Sequence, residues 1–214
     1  MQNAKKRSSF EKWLKAFVNI ISLLPLALLV FAYLRGGLGF NPIETVLQRT
    51  GRTAMVLLLL SLTCTPIHNL FKLPSIRRLR KPLGLFAALY ATVHFTTFAI
   101  WDYGLELRLI WMEIREKPFI LLGLAALIIL LILAVTSFRS WQRKLGKTWV
   151  WLHRLVYIAG ALTILHYLLA VKGDLFSLQG DYTLPLLAAG VLILLYLLRL
   201  PAIYRPLRQL VGRE

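Results

Sequence analysis

Six stretches of this sequence are apolar over nearly the full length of a bilayer-crossing helix: 14–34, 52–71, 83–101, 118–138, 149–170 and 182–200. An α-helix rises about 1.5 Å per residue, so roughly 20 residues cover a hydrocarbon core about 30 Å thick. Hydrophobic residues make up 58% of the 214, above the roughly 45–50% typical of soluble domains. The expected fold is therefore an all-α membrane protein, a bundle of six transmembrane helices. Residues 1–13 form an N-terminal segment, 14–200 the membrane domain and 201–214 a C-terminal tail.

The net charge of +17 would point to nucleic acid in a soluble protein. Here the charges lie between apolar runs, so topology explains them and no nucleic-acid partner is expected. Eighteen Lys and Arg fall in the N-terminal segment, the even loops and the C-terminal end, against seven in the odd loops. The positive-inside rule then puts both termini in the cytoplasm. The basic start and apolar run resemble a secretory signal, but the run is too long for a typical one and reads as the first helix. Pro82 and Pro118 suit first-turn positions, Gly36, Gly37 and Gly173 suit helix ends, and Pro25 should kink the first span. No tandem repeat is evident. The lone Cys64 allows no internal disulfide, and no C-x-x-C-H occurs.

Histidine is costly in lipid unless it faces the bundle interior and meets a partner. His94 stands in the third span; His153 and His166 share the fifth. Spans three and five run in the same direction, so depth compares directly. His94 approaches the depth of His166 if its helix begins near Arg80. Imidazoles on neighbouring helices commonly hold a haem iron from both faces, and His94 with His166 is the expected outer pair. His153 lies nearer the cytoplasm, where a second haem would complete a path. The matching depth on span three holds Arg80 and Lys81, which are not usual iron ligands. Thirteen residues also turn His153 away from the face of His166 in a straight helix. His94 with His153 is a second possible pairing. His68 ends span two and reads as an interfacial polar residue.

Arg154, with Arg77, Arg78 and Arg80 opposite, has the chemistry to bind haem propionates on the inner side, and Arg49 and Arg52 on the outer side. Most of these charges are explained by topology alone. Trp101, Tyr103, Trp111, Trp149, Trp151 and Tyr182 cluster at span ends as an aromatic belt. Gly84, Gly123 and Gly160 allow close approach of a helix or a macrocycle, and ordinary helix packing is the plainer reading. No G-x-G-x-x-G or P-loop is present, and a tail of about 14 residues is too short for a nucleotide domain. The amphipathic stretch 104–116 is a candidate docking surface.

The run Gln142-Arg143-Lys144-Leu145-Gly146-Lys147, with Trp149, Leu152-His153, Val156-Tyr157 and His166-Tyr167, resembles the MsrQ (YedZ) family of the ferric-reductase-like transmembrane superfamily. Gly36 to Gly39, Thr50 to Ala54, Leu83-Gly84-Leu85 and His94 add to the resemblance. It implies a multi-pass protein of the bacterial inner membrane carrying haem b, one or two, with FMN as a further cofactor. It implies an electron-transfer subunit, not the catalytic one, that takes electrons from quinol. The implied partner is a periplasmic MsrP-type molybdenum-containing subunit that reduces methionine sulfoxide, and a cytoplasmic flavin reductase is a second implied donor. Carried over residue by residue, the ligands are His94, His153 and His166. The resemblance implies two histidines on each of two helices, and the inner one on helix three is replaced here by Arg80. A small transporter or proton channel with a histidine relay is the competing reading.

Overall fold

A computed structural model describes residues 2–171 and 180–211. The first helix, α1 (Gln2–Leu34), starts well before its apolar run and ends where Gly36 adopts φ +64°, with Gly37 N–H donating to Ala32 O at 2.8 Å. That left-handed turn is the glycine helix stop anticipated from the sequence. Helix α2 (Pro42–Phe71) begins ten residues before the apolar stretch. Asn41 caps it, accepting from Glu44 N–H at 3.2 Å, and Pro42 occupies its first turn. Arg49 and Arg52 consequently sit within the helix rather than at its end.

Helix α3 (Pro74–Thr96) starts at Pro74, so Pro82 lies in its interior rather than its first turn. A π-helical turn, Thr97–Asp102, continues it. Next come α4 (Leu107–Glu116), α5 (Phe119–Val135), α6 (Arg139–Leu145), α7 (Lys147–Leu152) and α8 (Leu155–Ala170). Pro118 precedes α5 as expected. The fifth apolar run is therefore broken at His153 and Arg154. Gly173 lies outside the described residues. The last pair, α9 (Thr183–Leu197) and α10 (Pro201–Val211), meet at 80°.

The described residues are nearly all helical. Five helical segments are long and apolar enough to cross a membrane, or six if the bent α9–α10 pair counts as one span. Only 11% of the apolar window of α1 is buried. Apolar side chains turned outward on such a scale suit lipid, not water. This is a multi-pass membrane protein.

Two helix pairs form the centre, with α3 packed along α2 and α8 along α5. Leu58, Leu62, Ala87, Ala88 and Ala159 of these helices are buried in one core with Leu192 of α9. Small residues permit the close approach. A Cβ on Gly160 would stand 3.2 Å from Leu192 Cδ1.

At two of the interior prolines, Pro25 and Pro66, a polar side chain from another helix meets the helix backbone. At Pro25 the Tyr90 hydroxyl enters the α1 ladder, accepting from Leu26 N–H at 2.9 Å and donating to Ser22 O at 2.8 Å. Pro66 has no N–H for the carbonyl of Leu62, four residues back. Arg199 Nη2 donates to that carbonyl instead, at 2.5 Å.

Candidate functional site

His94 lies 20 residues beyond Pro74, and His166 lies 19 beyond Lys147, about 30 Å along each helix line at the usual rise. The two rings reach the same level and face one another. Their centroids are 6.2 Å apart and their planes cross at 87°.

Each ring is held the same way. His94 Nδ1 is 2.9 Å from Leu47 O, and His166 Nδ1 is 2.8 Å from Phe119 O. A carbonyl only accepts, so Nδ1 carries the proton on both rings. Nε2 is left as the nitrogen with a lone pair to offer a metal.

One helical turn beyond each carbonyl stands a glycine against which the ring rests. A Cβ on Gly51 would lie 3.1 Å from His94 Nδ1, and one on Gly123 only 2.7 Å from His166 Nδ1. Leu47, Gly51 and His94 are matched 72 positions later by Phe119, Gly123 and His166. The fold thus carries a structural repeat, α2–α3 and α5–α8, where no tandem repeat was evident. The signal was a glycine 43 residues before each histidine. In the sequence alone Gly123 is a close-approach or packing position, and Gly51 stands out only as part of the Thr50 to Ala54 resemblance.

His153 is not part of this pair. It sits in the break between α7 and α8, its ring 4.1 Å from that of Trp149 and its Nε2 3.2 Å from Thr136 Oγ1. Trp149 Nε1 donates to Thr136 O at 2.8 Å, tying the α7 end to the α5 end. Counting back 72 positions from His153 gives Lys81 rather than Arg80. Lys81 Nζ donates to Ser137 O at 2.7 Å, in the same corner. Arg80 is close enough to interact electrostatically with His153, Cys64 and Arg199.

Arg154 is exposed, its guanidinium 5.6 Å from the centre of the Trp151 ring. Arg52 lines a groove between α1 and α2, beside Arg49. His68 lies in the last turn of α2, its buried Nδ1 without a hydrogen-bond partner among the described residues.

Residues 50–164 match the model of the ferric reductase like transmembrane component. The matched segment holds Gly51, His94, Gly123 and His153, and stops two residues short of His166. It covers more than half of the chain. The protein belongs to the ferric-reductase-like transmembrane family.

Members of this family are membrane electron-transfer components, and the family generally binds haem. The residues here fit that group. Metal–nitrogen bonds of about 2 Å plus the ring radii put two axial imidazoles roughly 6 Å apart, centre to centre. The observed 6.2 Å matches, and the shared Nδ1 tautomer directs both lone pairs away from the carbonyls. Among the described residues no three His, Cys, Asp or Glu side chains converge as a metal site. A planar macrocycle brings its own four donors, so two imidazoles suffice.

Proposed function

We propose that this ferric-reductase-like protein is the haem b electron-transfer subunit of a periplasmic methionine-sulfoxide-reducing system in the bacterial inner membrane. In this reading six spans leave both termini in the cytoplasm, an orientation that the distribution of Lys and Arg supports. The observation that carries the reading is the pair of opposed imidazoles, His94 and His166, each fixed through Nδ1 by a main-chain carbonyl.

A bound haem would supply a one-electron couple at that level of the membrane. The chain's own work is to orient the two rings, hold them in one tautomer and surround them with apolar helices that exclude water. The electrons come from a quinol, which gives up two electrons and two protons. Reduction of a sulfoxide consumes the same numbers and releases water, so single electrons pass in succession to a molybdenum-containing catalytic partner. Helix α4, which buries no side chain, is the docking face for that partner. His153, with Arg80 and Lys81 near it, marks a second position nearer the cytoplasm.

The test is an absorption spectrum with haem quantitation of the purified protein. Wild type should show a low-spin b-type spectrum, and His94→Ala or His166→Ala should each lose the signal of the outer site. Unaltered haem content and spectra in both variants would overturn the assignment. A colourless wild type from porphyrin-replete cells would favour the histidine-relay transporter.

A further inference from the structure

Beside the imidazole pair, on the far side of α2, runs a groove of about 300 Å³ between α1 and α2. One wall is apolar, built from Pro25, Leu28 and Leu29 of α1; the other carries Arg49 and Arg52 of α2. The volume is at the lower end of what small-molecule sites enclose. Neither arginine takes part in an ion pair among the described residues. Two guanidinium groups at the edge of an otherwise apolar groove call for an amphiphile with oxygen acceptors at its head.

The floor of the groove is Tyr90, which is 1% exposed. Its hydroxyl is locked into the α1 ladder beside Pro25, so this part of the groove is preformed. Tyr90 lies one turn before His94 on α3, and residues four apart on a helix are neighbours. Thr50 lines the groove while the next residue, Gly51, touches the His94 ring. Neighbouring residues of α2 and α3 therefore line both the groove and the imidazole pair. A merely structural lipid has no need of that adjacency.

We infer that this α1–α2 groove binds the head of a quinone. Arg49 and Arg52 donate hydrogen bonds to the ring oxygens, and the isoprenoid tail leaves past the exposed Leu28; when the quinol gives up its two electrons, its two protons pass to water at the exposed arginine edge. The inference rests on the electron-carrier reading above and locates its donor site.

The experiment uses the full chain purified in mild detergent, with two independent readouts. The first is the quinone and phospholipid that co-purify, measured after solvent extraction. The second is the rate at which a short-tailed ubiquinol analogue reduces the haem, set against reduction by dithionite. Leu28→Trp fills the groove from an exposed position, and Arg49→Gln and Arg52→Gln remove its donors. Each should lower bound quinone and slow quinol-driven reduction, by about tenfold in the two arginine variants, the value of one charge-assisted hydrogen bond. The dithionite spectrum should be unchanged in Leu28→Trp.

Quinone content and quinol rates equal to wild type in all three variants would overturn the groove assignment while leaving the haem reading intact. Loss of bound phospholipid with quinone unchanged would assign the groove to a structural lipid and overturn it equally. A wild type without haem defeats the electron-carrier reading, and with it the inference, whatever the quinone content.

Discussion

Gly123 stands so close to His166 that a Cβ at this position would come within 2.7 Å of the ring nitrogen Nδ1. The corresponding distance from Gly51 to His94 Nδ1 is 3.1 Å. The ring at Gly123 has no easy escape, because Phe119 O holds the same nitrogen at 2.8 Å. Gly123→Ala should therefore displace the imidazole at a cost of about 1–3 kcal/mol, and Gly51→Ala should cost less. The haem-to-protein ratio checks this: Gly123→Ala is expected to fall well below Gly51→Ala. Equal retention in both would show that the glycines do not set ring position.

His153 belongs to a different level from the His94–His166 pair. His153→Ala should leave the spectrum of the outer site in place, while His94→Ala should not. A colourless His153→Ala protein would contradict the separation of the two levels.

Arg199 and Pro66 should be energetically coupled through the carbonyl of Leu62. Arg199→Met leaves that buried acceptor unpaired, at a cost of about 1–3 kcal/mol. Pro66→Ala restores a backbone N–H able to close the rung, so the same arginine change should cost less in that background. A double-mutant cycle on unfolding in detergent measures the coupling. Strict additivity would rule out the stitch.

Tyr90→Phe removes the hydroxyl that joins Leu26 N–H to Ser22 O. Ser22 is buried, so two main-chain groups lose their partner, and destabilisation of about 1–3 kcal/mol is expected. A thermal melt unchanged from wild type would show that the α1 ladder closes without the hydroxyl.

Beyond the spans, Glu113 forms an ion pair with Lys117. The Lys117 ammonium, with help from the Tyr103 hydroxyl, holds the Glu113 carboxyl below its ordinary 4.5. Burial and the neighbouring Glu113 push the Tyr103 hydroxyl up to about 12, so it remains a donor. A carboxyl depressed in the folded state contributes stability above its ordinary value and loses it as pH falls through the depressed one. The attachment of α4 should accordingly loosen on acidification below 4.5. Trp111 emission followed down that range in wild type and in Glu113→Gln provides the check; identical titrations would dismiss the pair as an anchor.

The spans were legible because six long, largely apolar runs leave lipid as the only suitable solvent. Their starts were less so. Pro74 and Asn41 open α3 and α2 in polar stretches well before hydropathy rises, since capping and proline chemistry, not apolarity, begin a helix. That earlier start of α3 is what brings His94 level with His166. The break at His153–Arg154 was hidden because the run on either side is continuously apolar. The cradle was hidden for another reason: its acceptors are main-chain carbonyls, which leave no mark in the identity of Leu47 or Phe119.

That last point limits how such a clamp can change. Both imidazoles are steadied by peptide oxygens and by the absence of a side chain, and no substitution at Leu47 or Phe119 deletes a peptide oxygen. Evolution can loosen the grip only by filling a glycine or bending a rod. Fine adjustment of whatever is clasped there must come from more distant layers of the bundle.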